Sequence, residues 1–275
     1  WVTQVATLHR CDAGGRGIRA LSANNEHDNT PWVLPDGRVL YQRWEYVDRS
    51  QVDYHHLWTM NPDGTAQMVY YGNQRPGTVM IDAKPIPGSR RVAAIFSPGH
   101  GQREHDGAIV LIDPSRGPDD ASAVRHVSRA AIFRDVWAFA EDAFMAAAGP
   151  ELRLMDGRGR TGRLLRLDDG DVREGYECHE PRPVVARARE AVLPDRTRAE
   201  RPFGRLVLAD IYEGRAMQGV RRGEIEKLLV LETLPKPINY TGGMDPLTYG
   251  GSFALERVLG PVPVAPDGSA YFEAP

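Results

Sequence analysis

Leu34-Pro35-Asp36-Gly37 opens a turn, a β-rich run from Arg38 to Tyr46 follows, and after a polar loop His56-Leu57-Trp58-Thr59-Met60 leads into Asn61-Pro62-Asp63-Gly64. The same plan returns 52 residues later. Ile86-Pro87-Gly88-Ser89 precedes Arg91-Val92-Ala93-Ala94-Ile95-Phe96, a polar loop intervenes, and Ala108-Ile109-Val110-Leu111-Ile112 runs into Asp113-Pro114. Pro35 and Pro87 share their interval with Pro62 and Pro114, which marks an internal repeat. Pro presets φ at the first turn position, and Asp and Gly tolerate or supply the positive φ that follows, so Pro-Asp-Gly between apolar runs folds the chain back on itself.

The runs between turns are four to eight residues long and rich in Val, Ile, Leu, Trp and Tyr, which is strand length and strand composition. No long amphipathic helix is visible. Phe144 to Ala148, Gly149-Pro150 and Leu152 to Gly157 repeat the strand pair with a tight turn, and Arg205 to Tyr212 with Leu228 to Glu232 repeats it with a long loop. Repeats of this length predict an all-β chain, a β-propeller of about five to seven blades. Thr7 to Leu21 reads as the end of a blade, and Pro266 to Glu273 as the beginning of one. One blade shared between the termini would remove exposed edges, and two cut ends of a longer protein are the alternative. Leu40, Trp44, Leu57, Ile95, Ile109, Leu111, Leu208 and Leu229 are expected to pack between blades.

Residues 1–275 are read as one propeller domain, interrupted at 181–202 by a Pro- and Arg-rich surface connector without strand periodicity. At 275 residues and 41% hydrophobic content the chain can bury a large core. A net charge of −3 gives no electrostatic case for nucleic acid, and no apolar run is long enough to span a bilayer. Trp1 in place of an initiator Met suggests a processed or excised segment, so a missing signal peptide says nothing of export. Two cysteines 167 positions apart exclude a disulfide-dense scaffold and an all-cysteine zinc site within the chain.

Asn29-Thr30-Pro31-Trp32-Val33-Leu34-Pro35-Asp36-Gly37 and Leu57 to Thr65 resemble the TolB-type, WD40-like propeller repeat. Ile95-Phe96-Ser97-Pro98-Gly99-His100-Gly101, Cys178-His179-Glu180-Pro181-Arg182-Pro183 and Gly223 to Thr233 resemble the family named after the middle domain of the hydrazine synthase alpha subunit. The likeness runs from about Leu21 to the C-terminus. It implies a scaffold and interaction domain of a larger exported bacterial protein, periplasmic or secreted, with other domains of the polypeptide or other subunits as partners. Related domains commonly accompany c-type haem motifs, yet a fold does not carry chemistry without its site residues.

Covalent haem attachment uses Cys-x-x-Cys-His, and here Gly175 stands where the first thiol belongs, ahead of Cys178-His179. The pair is therefore read as a structural thiol beside a surface histidine. The loop histidines are the alternative chemistry, that of a metal-dependent enzyme or metal-binding module with its site at the channel mouth. Glu26-His27-Asp28 and Glu104-His105-Asp106 are similar triplets, and with His55 and His100 they compose a candidate divalent-metal site of His27, Asp28, His55, His100, His105 and Asp106. Neighbours on a strand face opposite ways, so His55 and His56 do not readily reach one ion. These residues serve equally as hydrogen-bonded loop anchors. Anion sensing by Arg103, Arg215, Arg221 and Arg222 is a third reading. Ser97-Pro98-Gly99-His100 lacks the strand-to-helix setting of a hydrolase elbow, and the Gly-Gly pairs at 14–15, 242–243 and 250–251 are turns rather than phosphate loops.

Overall fold

The computed structural model describes residues 6–22, 27–45, 49–50, 52–100, 106–214, 216–234 and 255–275. The chain divides into two compact units, one of residues 4–196 and one of residues 1–3 and 197–275. In the first unit the strands are β1 (His9–Arg10), β2 (Arg19–Ala20), β3 (His27–Val33), β4 (Val39–Trp44), β5 (Tyr54–Met60), β6 (Met68–Tyr71), β7 (Thr78–Pro85), β8 (Val92–Ser97), β9 (Ala108–Ile112), β10 (Val124–His126), β11 (Arg134–Ala140), β12 (Ala143–Ala148), β13 (Glu151–Asp156) and β14 (Thr161–Arg166), followed by a short helix α1 (Asp169–Arg173).

Three antiparallel four-stranded meanders follow one another: β3 to β6, β7 to β10 and β11 to β14. A short parallel contact of Tyr54 and His55 with Thr78 and Val79 joins the first two into one eight-stranded sheet. The Pro-Asp-Gly turns close as read: Gly37 N–H donates to Leu34 O and Gly64 N–H to Asn61 O, and both glycines hold positive φ.

The middle meander buries both faces. Ala93, Ile95, Ile109 and Leu111 pack toward the third meander with Val136, Phe144 and Ala146, while their neighbours Val92, Ala94, Val110 and Ile112 pack with Leu40, Leu57 and Tyr71 of the first. Strand side chains alternate, so a strand covered on both sides reads as a continuous apolar run. That accounts for Val92 to Ile95 and Ala108 to Ile112.

The second unit holds β15 (Gly204–Leu208), β16 (Lys227–Leu234), β17 (Leu255–Pro263) and β18 (Ala270–Ala274), paired as β15 with β18 and β16 with β17. Three expectations change here. β15 and β16 do not form one strand pair. Among the described residues β18 pairs with β15 and β1 with β2, rather than in one common ladder. Leu229 is 60% exposed on the alternating ribbon β16, Trp44 and Leu208 are half-buried, and the other five expected packing residues are buried. Strand periodicity is local, whereas the partner of a strand is not.

Residues 181–202 carry no helix or strand and are largely exposed. The segment runs across two turns of the first meander, with Ala191 N–H donating to Pro35 O and Arg196 N–H to Asp63 Oδ2.

Candidate functional site

The first strand of each meander carries a bulge at a matching place, between Asn29 and Trp32 in β3, Ile81 and Lys84 in β7, and Arg134 and Trp137 in β11, which has a second irregularity between Ala138 and Ala140. Each bulge holds a non-glycine residue at positive φ, Thr30 (46°), Asp82 (56°) and Asp135 (51°), spaced 52 and 53 residues apart. Glu180 (43°), in the coil after α1, is a fourth such residue. An inserted residue bends a strand and re-aims its side chains. In β7 the phase shift is visible: Met80 and Ala83, three apart, face the same core cluster.

Two positions beyond each left-handed residue stand Trp32, Lys84, Trp137 and Arg182, and they converge. Trp32 meets Trp137 edge-on at 5.8 Å, the Lys84 Nζ lies 5.7 Å from the Trp32 centroid, and the Arg182 guanidinium lies 5.0 Å from it. Arg187 sits 5.5 Å from Trp32 and 5.8 Å from Trp137. Cations over indole faces are attracted by the ring quadrupole.

Asp82, Asp135 and Glu180 bring one carboxylate oxygen each to within 4.8 Å of one another. The Glu180 N–H donates to Asp135 Oδ2 at 2.9 Å, and His179 Nδ1 is 3.4 Å from the same oxygen. Burial pushes the Asp82 carboxyl up to about 7, with the charges of Asp135 and Glu180 adding to the shift and Lys84 opposing it. Arg182 holds Glu180 through its Nε and Nη2. The Lys84 Nζ is 3.8 Å from Glu180 Oε2, so the ammonium already supplies positive charge where a divalent ion would sit among the three carboxylates. A cleft of about 170 Å³ opens here, lined by Thr30, Trp32, Asp82, Lys84, Glu180 and Arg182 among others.

The candidate histidines gather elsewhere. His27, His55 and His100 stack around Trp44 at centroid distances of 5.0, 5.1 and 4.5 Å, and His55 and His100 are 5.3 Å apart. Among the described residues no histidine joins a group of three ligand atoms at metal-binding separation. Burial holds His27 below the usual imidazole range, with Asp28 opposing. Asp28 faces the other side of β3, where its buried carboxylate takes a two-point bond from Arg43 at 2.7 and 3.1 Å. Asp106 pairs with Arg134, and His105, like Arg103 and Arg215, lies outside the described residues. His55 and His56 do point oppositely, His56 toward Glu45 at 3.3 Å. The Cys178 thiol is buried, with its N–H bonded to Gly149 O, while His179 is largely exposed.

The sequence reading missed Asp82, Lys84, Asp135, Glu180, Trp32 and Trp137 as site residues. The available signal was the repeat itself, carried one strand further back: Thr30-Pro31-Trp32, Asp82-Ala83-Lys84, Asp135-Val136-Trp137 and Glu180-Pro181-Arg182 align.

No family model matches the chain, and no curated protein matches it. Among solved structures, Kuenenia stuttgartiensis Hydrazine Synthase is similar, with a TM-score of 0.66 and 15% identity. The match covers 93% of this chain and 39% of that chain, so this chain spans about two fifths of the length of the neighbour. At that identity the likeness concerns the fold, an all-β build shared with a part of a larger protein.

Proposed function

We propose that the chain is a propeller-type scaffold and interaction module of a larger exported bacterial polypeptide, built like the middle domain of the hydrazine synthase alpha subunit. The observation that carries this reading is the match itself, which takes in nearly all of this chain and well under half of its neighbour. Three consecutive meanders at a near-constant interval fit blades, and a ring of five to seven blades is the form proposed. Export and association with haem-bearing neighbours belong to the same proposal, with no covalent haem on Cys178. The test is to supply this chain and the remainder of its parent polypeptide as separate proteins. A stoichiometric complex by size-exclusion chromatography with light scattering is expected, and independent elution of the two would overturn the reading.

A second reading, a module that binds a divalent metal through loop histidines, draws on the gathering of His27, His55 and His100 at Trp44. Calorimetric titration of the dialysed chain with zinc decides it: stoichiometric binding that is lost in His100→Ala would favour it, and no heat would remove it.

A further inference from the structure

Two polar side-chain atoms lining the cleft between β3, β7 and the Cys178–Arg182 segment have no hydrogen-bond partner. They are the Lys84 Nζ, on a residue only 5% exposed, and the Thr30 Oγ1. The nearest carboxylate oxygen to the ammonium, Glu180 Oε2, is at 3.8 Å, beyond hydrogen-bond length. A buried donor left unmade carries a desolvation penalty, and a charged one the larger penalty. The ammonium can only donate and so is short of an acceptor, and the Thr30 hydroxyl, which donates or accepts, can donate to the same one. The carboxylates are not short of donors, because Asp135 accepts from the Glu180 N–H and Glu180 accepts from Arg182.

We propose that this cleft binds a small monoanionic carboxylate, whose oxygens accept from the Lys84 ammonium and the Thr30 hydroxyl beside the Trp32 ring. The cleft, about 170 Å³, has room for a small acid such as acetate or propionate. Charge sets the valence. Of the charged side chains that line the cleft, Lys84 and Arg182 bring two positive charges against Glu180, and Asp82 adds a second negative charge only when it ionises. With the Asp82 proton in place one positive charge is unmatched, and one monoanion matches it. The groups that face Asp82 are Lys84 on its own strand, Asp135 on β11, and Glu180 on the coil segment. Burial and the two neighbouring carboxylates keep its proton up to about pH 7, so the site favours the anion on the acid side and loses it as Asp82 ionises.

The experiment is titration of the whole chain with acetate, formate and propionate by calorimetry and by line broadening of carbon-13 acetate, near pH 6 and near pH 8.5. Saturable one-to-one binding is expected near pH 6, about tenfold or more weaker near pH 8.5 because the required protonated fraction falls tenfold per unit above the pKa. Lys84→Met should abolish it and Thr30→Val should weaken it several-fold. Asp82→Asn should keep binding and remove its pH dependence, since Asn stays neutral and tolerates the left-handed backbone. If Lys84→Met does not fold, as read by near-ultraviolet circular dichroism, the Asp82→Asn and Thr30→Val arms decide. Absence of saturable binding, equal competition by chloride, or an unchanged pH profile in Asp82→Asn would each overturn the proposal.

Discussion

Asp82→Asn separates a buried, proton-holding carboxyl from an ordinary one through stability alone. Asp82 is buried, beside Asp135 and Glu180, and its carboxyl is raised from 3.8 to about 7. Above pH 3.8 the unfolded chain releases the proton while the folded chain keeps it until about pH 7, so stability falls across that interval and levels off beyond it. At ~1.36 kcal/mol per unit, the full interval is worth about 4 kcal/mol, and the part between pH 5 and pH 8 about 3 kcal/mol. Asparagine is isosteric and does not titrate. Its advantage over the wild type should therefore be small near pH 4 and grow to a few kcal/mol at pH 8. Urea unfolding followed by tryptophan fluorescence at several pH values measures this. A gap between variant and wild type that stays constant from pH 5 to pH 8 would refute the reasoning, because it would mean that Asp82 ionises as a solvated carboxylate does.

Asp28→Ala leaves the buried Arg43 guanidinium without its two-point partner and should cost about 3–5 kcal/mol in the same unfolding assay; a loss below ~1 kcal/mol would mean the pair is effectively solvated. In Gly37→Ala a Cβ would stand 2.3 Å from Ala191 O on a backbone at φ +89°, so the 181–202 segment should lift from its turn and be cut faster by trypsin at Arg187, Arg189 and Arg196. Equal cleavage rates would show that the segment is not seated there. Cys178 is buried, and burial followed by the charge of Glu151 raises its thiol, so iodoacetamide should label only exposed Cys11 in the folded chain and both thiols in urea. Expression alongside a c-type cytochrome maturation system should add no haem mass; a one-haem increment lost in Cys178→Ala would reverse that reading.

The turns that made the repeat legible are those whose chemistry is written in single residues: Pro35-Asp36-Gly37 and Asn61-Pro62-Asp63-Gly64 need Pro, Asp and Gly and contain them. The strands next to them could be read because alternation and apolar runs are local properties. What Arg205 to Tyr212 pairs with is not local, and the neighbouring Leu228 to Glu232 was the wrong partner; β18, about 60 residues further along, is the right one. The histidine triplets illustrate the same limit at the level of a site. His27 and Asp28 are adjacent in sequence, yet one turns to Trp44 and the other to Arg43, since consecutive side chains on a strand leave opposite faces. Adjacency of a histidine and an aspartate on β3 thus argues against a shared ion.

The cleft residues escaped the turn rules for a physical reason. A left-handed backbone favours glycine, and Thr30, Asp82, Asp135 and Glu180 hold it without being glycine. Such residues cost of order 1–3 kcal/mol each and persist where the surroundings over-determine them. A single case would be an isolated strain. Of the three at matching positions of successive meanders, Thr30 and Asp82 line one cleft together with Glu180 from the coil, and Asp135 brings a carboxylate oxygen within 4.8 Å of those of Asp82 and Glu180. Glycine would relieve the backbone at every one of these positions but would remove the three carboxylates and the hydroxyl. The bulges thus turn the first strands of two meanders, β3 and β7, into a wall of the cleft. Asp82 and Lys84 show it most directly, lying two residues apart on one bulged strand and lining the same space.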